Sequence, residues 1–158
     1  MADDDKLTLE QWHRKMAVDL FNYTWTFLDK KKRTKSEDDE MVHASHASRY
    51  HWGVRVANNW DATPINLGRG DWQLSRVYAV LGDGERAVYY GKTYLDICKK
   101  EGIEDWDLAY AYEAIARGYA VAADEKNKTK YLKLAKKSTE KVENQKSKDM
   151  LYADLKTI

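Results

Sequence analysis

Apolar residues in the first thirty positions recur at helical and not at strand spacing. Leu9, Trp12, Met16, Leu20, Phe21, Phe27 and Leu28 fall on one stripe of a helical period, which predicts a helix over about 9–29. Thr8 followed by Gln11 supplies a capping box at its start, and the basic run Lys30 to Arg33 stands where a helix C-terminus favours cations. Ser36, with Glu37, Asp38, Asp39 and Glu40 behind it, reads as the N-cap of a second helix over about 37–52, which Gly53 ends. Residues 53–66 include Asn58, Asn59, Pro64 and Asn66 and carry no helical period, so they predict the longest loop of the chain.

The second half is more regular. Leu74, Tyr78 and Leu81 mark one face of a third helix, Gly82 and Asp83 make a turn, and Ala87, Val88, Gly91, Tyr94, Leu95 and Cys98 stripe a fourth, which Gly102 stops. A fifth helix over about 104–122 carries two stripes: Trp106, Ala109, Tyr112, Ala116, Tyr119 and Ala120, and beside them Leu108, Ala111 and Ile115. A helix apolar over that much of its circumference is expected to be sandwiched between others. Asp124 caps a sixth helix with a seam of Tyr131, Ala135, Ser138 and Val142, and a short last helix bearing Leu151, Leu155 and Ile158 closes the stack. The expected fold is one all-α domain over 1–158, built of stacked antiparallel helical hairpins: six helices and a C-terminal capping helix.

The chain repeats itself. Ser75 to Asp83 aligns without gaps on Ala116 to Asp124, setting Tyr78 against Tyr119 at an offset of 41 residues, and Ser48, Arg49, Tyr50, His51 and Trp52 give a weaker third echo. The run Trp72, Leu74, Ser75, Tyr78, Gly82, Asp83 and Ala87 resembles a tetratricopeptide (TPR) unit, and the resemblance covers residues 67–143. It departs from that pattern at Gly91, Tyr94 and Lys99, and its period exceeds the usual one of about 34. The segments His46 to Trp52, Trp72 to Leu81 and Asp105 to Ala120 also look like a family of small bacterial proteins of this architecture. That likeness implies a TPR-like right-handed array and brings no activity with it.

Composition narrows the function classes. Lys and Arg number 27 against 26 Asp and Glu, so the net field makes neither nucleic acid nor an anionic membrane the default partner. A single cysteine, Cys98, rules out an internal disulfide framework. The aspartate-rich opening, Met1 to Lys6, is unlike a secretory signal, and no apolar run approaches the roughly 20 residues that span a bilayer. A cytoplasmic protein is expected.

Three groups of residues could carry chemistry. His43, His46 and His51 lie within one broad arc of the second helix and could chelate a divalent metal, with Asp39, Glu40 or Glu113 as further ligands. Arg49, Arg76 and Arg117 recur at equivalent places; they either form interhelical salt bridges, with Glu113 one turn from Arg117, or line one groove for carboxylates or phosphates. Tyr50, Trp52, Tyr78 and Tyr119 would wall that groove, and Trp60 in the long loop would cover it. The lysines from Lys126 to Lys148 read as a solvated face that lacks the arginines and stacking groups of a nucleic-acid groove. Gly68-Arg69-Gly70 is too short for a phosphate loop, and Cys98, on an apolar stripe, reads as an inert buried thiol.

The expectation is therefore a non-catalytic binding or scaffold module without a cofactor, taking a protein, a peptide or a small anionic ligand. A metal-binding protein or metal-dependent enzyme using the histidines is the alternative, and a homodimer built on the aromatic surface is a third.

Overall fold

A computed structural model describes residues 6–158; the aspartate-rich opening, Met1 to Asp5, lies outside the described residues. Among the described residues the chain is all-α, with seven helices and no strand: α1 (Leu9–Leu28), α2 (Lys35–Ala57), α3 (Pro64–Val80), α4 (Gly84–Lys100), α5 (Asp105–Val121), α6 (Glu125–Glu140) and α7 (Gln145–Leu155). None is long and apolar enough to cross a membrane. Contacts cluster into two compact units, the first reaching Gly70 and the second running Asp71–Ile158. α3 begins in the first and continues in the second.

In the first unit α1 and α2 pack along their lengths. Each starts on a capping box: Thr8 with Gln11, and Thr34 with Glu37. The second box is a T-x-x-E signal two residues ahead of the expected Ser36 cap, and the acidic turn behind it strengthens the start. The buried stripe of α1 is Ala17, Thr24 and Phe27, flanked by half-buried His13, Leu20 and Phe21, whereas Leu9 and Trp12 are exposed. The stripe is thus rotated from the one expected, because small residues set the approach of α2. Ser48 donates its hydroxyl to the Ala17 carbonyl at 2.7 Å, a contact a larger residue at Ala17 would hold apart. Met41, Ala44, Ser45, Ser48 and Arg55 are the buried face of α2. Gly53 does not end that helix. It continues to Ala57 because Met41 through Arg55 keep one buried face, and packing outweighs the cost of about 1 kcal/mol of a mid-helix glycine. The expected long loop shrinks to residues 58–63, and Pro64 opens α3 at a position where its missing N–H costs nothing.

In the second unit α5 lies between α4 and α6, as its two apolar stripes require, and α7 touches both α5 and α6. Ala109, Ala111, Ala114, Ile115, Ala116 and Gly118 are buried along it. Three glycines permit the close approach of α4 and α5. A Cβ on Gly84 would sit 2.5 Å from the Ala122 nitrogen, one on Gly91 2.9 Å from Ile115 Cγ1, and one on Gly118 2.8 Å from the Val88 nitrogen. Cys98 is fully buried in α4.

The 41-residue repeat is reproduced bond for bond at the two turns. The Asp83 amide donates to the Tyr78 carbonyl at 2.9 Å and the Asp124 amide to Tyr119 at 3.0 Å. Each aspartate caps the next helix by accepting from the third amide onward, Arg86 and Asn127, both at 3.0 Å. The caps share backbone angles, φ −93°, ψ 81° at Asp83 and φ −94°, ψ 82° at Asp124. The residue before each is left-handed, Gly82 at φ 81° and Ala123 at φ 57°.

Candidate functional site

The site residues of the second unit fall into two groups. Arg76 on α3 and Arg117 on α5 converge on Glu113, which is 1% exposed. Arg117 reaches the Glu113 carboxylate through Nη2 at 2.6 Å and Nε at 2.8 Å, and Arg76 lies 3.4 Å from the same oxygen. Arg76 also approaches Asp154 of α7 at 3.5 Å, while Arg117 donates to the Asp154 carbonyl at 3.0 Å and to Thr157 at 2.8 Å. Tyr110 donates to the Asp154 carboxylate, and burial pushes its hydroxyl pKa up. Burial likewise pushes the Glu113 carboxyl upward, against the pull of Arg117 and then Arg76. Of the two roles open to these arginines, their geometry is that of structural ion pairs: Arg76 pairs across helices with Glu113 and Asp154, while Arg117 pairs with Glu113 within α5 and hydrogen-bonds to the end of α7.

The second group is aromatic. Tyr78 of α3 stacks on Tyr90 of α4 with centroids 5.7 Å apart and planes 5° from parallel. One repeat later, Tyr119 of α5 stacks on Tyr131 of α6 at 5.6 Å and 27°. Both rings of each pair are 41 residues from their counterparts, and all four are half-buried. A cation lies over each stack: the Arg86 guanidinium 5.6 Å from the Tyr78 centroid and the Lys92 ammonium 5.5 Å from that of Tyr119. The hydrogen bond to Tyr119 raises the Lys92 pKa, so its charge is secure at neutral pH. Tyr89, 61% exposed, meets Tyr90 edge-on, and Tyr112 flanks Tyr131. The sequence nominated Tyr78 and Tyr119 as site residues; of their partners, Tyr131 stood only on the expected seam of the sixth helix and Tyr90 was not named, although the same 41-residue offset marks both.

In the first unit the Arg49 side chain lies across Gly70, where an added Cβ would come 2.8 Å from its Cδ. Tyr50 is largely exposed. Trp52 carries the Arg55 guanidinium 4.9 Å over its ring and, with Val18, Phe21, Asn66, Arg69 and Gly70, lines a cleft of about 220 Å³. Trp60 packs beside His13, with centroids 6.0 Å apart.

The histidines do not gather as the sequence suggested. Among the described residues no three His, Cys, Asp or Glu side chains are placed to hold a metal ion. Positions 43, 46 and 51 share a broad arc, but eight residues of helix separate the first and last by about 12 Å along the axis, too far for one ion. His51 instead meets His13 of α1, their Nδ1 atoms 2.9 Å apart, an N–H on one ring donating to the other. His13 was not anticipated. Its signal was the spacing His13, Ala17, Leu20, Thr24, Phe27, which sets it on the inward face.

Burial, and then the His13 ring, lower the His51 pKa below its ordinary value of 6.5. The unfolded chain therefore binds this proton more tightly than the folded one. The stabilising contribution is whole above 6.5 and lost as pH falls through the lower folded value. A fall in melting temperature between pH 7 and 5.5 is expected, and a smaller fall in His51→Gln, followed by circular dichroism.

Compared with known proteins, the chain matches no family, no curated protein and no solved structure.

Proposed function

We propose that this chain is a TPR-like, non-catalytic binding module whose second unit takes an acidic, extended peptide along its tyrosine face. The observation that carries this is the repeated stack: two tyrosine pairs, one repeat apart, each topped by a cation. Half-buried tyrosines offer flat apolar area at little entropic cost. Arg86 and Lys92 stand six residues apart on α4, about 9 Å along its axis, and favour carboxylates at a similar interval. Arg76 and Arg117 are turned to Glu113 and Asp154, so the anchoring charge passes to Lys92, with Arg86, which also pairs with Asp83 at 2.5 Å, beside it. A single buried thiol suits a reducing compartment, and we place the module in the cytoplasm.

Fluorescence anisotropy with a labelled, glutamate-rich twelve-residue peptide tests the reading. Arg86→Glu combined with Lys92→Glu is expected to weaken binding at least ten-fold while leaving the melting temperature within about 2 °C, since exposed charges contribute little to stability. Equal binding of a lysine-rich peptide, or indifference to the reversal, would overturn it.

A further inference from the structure

We infer that His13 and His51 form a two-imidazole site for a divalent copper ion between α1 and α2. This goes beyond the peptide-binding reading and rests on the other unit, so either can fail without the other. The separation of the two nitrogens, 2.9 Å, is the starting point. With metal–nitrogen bonds of about 2.0–2.1 Å, two imidazoles on one ion stand about 2.9 Å apart when the bonds meet at a right angle and about 3.3–3.4 Å apart when they are tetrahedral. The spacing is that of the hydrogen bond itself, and it is also close to that of two adjacent positions of a tetragonal ion. Copper(II) prefers that geometry and heads the divalent series in affinity for nitrogen.

The rings are held where they are before any metal arrives. One turn away, Ser48 is bonded to the Ala17 carbonyl at 2.7 Å, which fixes the register of the two helices. Trp60 packs beside His13, and Tyr50 meets His51 edge-on at 5.5 Å. Both imidazoles are half-buried, leaving a side from which water or a small donor completes the coordination. Without metal, the nitrogens share one N–H. On metal binding the donor ring releases its Nδ1 proton and carries its hydrogen on Nε2, so both Nδ1 lone pairs face the ion. Two protein ligands make an open site without the grip of a closed structural one.

The test is calorimetric titration of tag-free protein with copper(II) chloride, alongside electron paramagnetic resonance. One equivalent is expected, with an axial signal of nitrogen ligation, weakened at least ten-fold in His13→Asn and in His51→Gln and unchanged in His43→Asn and His46→Asn. Zinc should bind at least ten-fold more weakly than copper. Should the variants fold poorly, broadening of imidazole resonances in the unaltered protein by sub-stoichiometric copper supplies the same information. Loss confined to His13 and His51 supports the site. Loss centred on other residues, no binding, or equal binding in the variants overturns it.

Discussion

Glu113→Ala lowers the stability of the second unit by about 3–5 kcal/mol, the range for removing one partner of a buried ion pair. The carboxylate is 1% exposed and is the common acceptor for Arg76 and Arg117, whose side chains are 21% and 14% exposed. Without it two guanidinium groups remain in a low-dielectric pocket with the Asp154 carboxylate and backbone and Thr157 to share. At about 2–4 °C per kcal/mol for a chain of this length, thermal denaturation should register a drop of about 6–20 °C. Glu113→Gln keeps an acceptor and loses the charge, so its drop should be smaller. The arginines also tie α7 to α3 and α5, so proteolysis of Glu113→Ala should begin near residues 145–158. A shift under about 2 °C would mean that the network adds nothing to stability.

Alanine at the α4–α5 crossing gives the second large effect, with a control of opposite sign. In Gly84→Ala the new Cβ meets the Ala122 nitrogen at 2.5 Å, its Cβ at 2.7 Å and its Cα at 2.8 Å. Backbone cannot step aside cheaply, so the helices must separate, at about 2–3 kcal/mol. Gly118→Ala, against Val88 and Ala87, should cost about 1–2 kcal/mol after the gain in helix propensity is counted. Gly53→Ala is different. Its Cβ would have only the flexible end of Arg49 at 3.4 Å, and α2 should gain up to about 1 kcal/mol. Urea denaturation of the three variants ranks them, and a destabilised Gly53→Ala would undo the argument.

What the sequence revealed follows the range of the interactions involved. Helix ends written in local chemistry were readable: the Thr8–Gln11 box, the Asp83 and Asp124 caps, and the small-residue character that buries α5. The 41-residue offset foretold two equivalent turns and, through Tyr78 and Tyr119, half of each aromatic stack. Signals that packing can override misled. Gly53 looked like a stop, yet α2 runs past it, and Ser36 looked like a cap while Thr34 two residues earlier had the matching Glu37. Partners far apart in the chain were not readable. Spacing alone could not say that Arg76 and Arg117 share Glu113, nor that His51 faces a ring 38 residues upstream. The helical arc of His43, His46 and His51 was real, but sharing an arc is weaker than meeting at a point.

The two turns have the same shape and unequal local support. Gly82 adopts its left-handed φ of 81° freely, whereas Ala123 holds φ 57° at a cost of about 1–2 kcal/mol. The first bend is thus encoded where it occurs. The second is imposed from a distance, by α6 settling against α5, so it persists only while those helices remain docked. Of the two hairpins the later one follows the architecture, and the earlier one helps to dictate it.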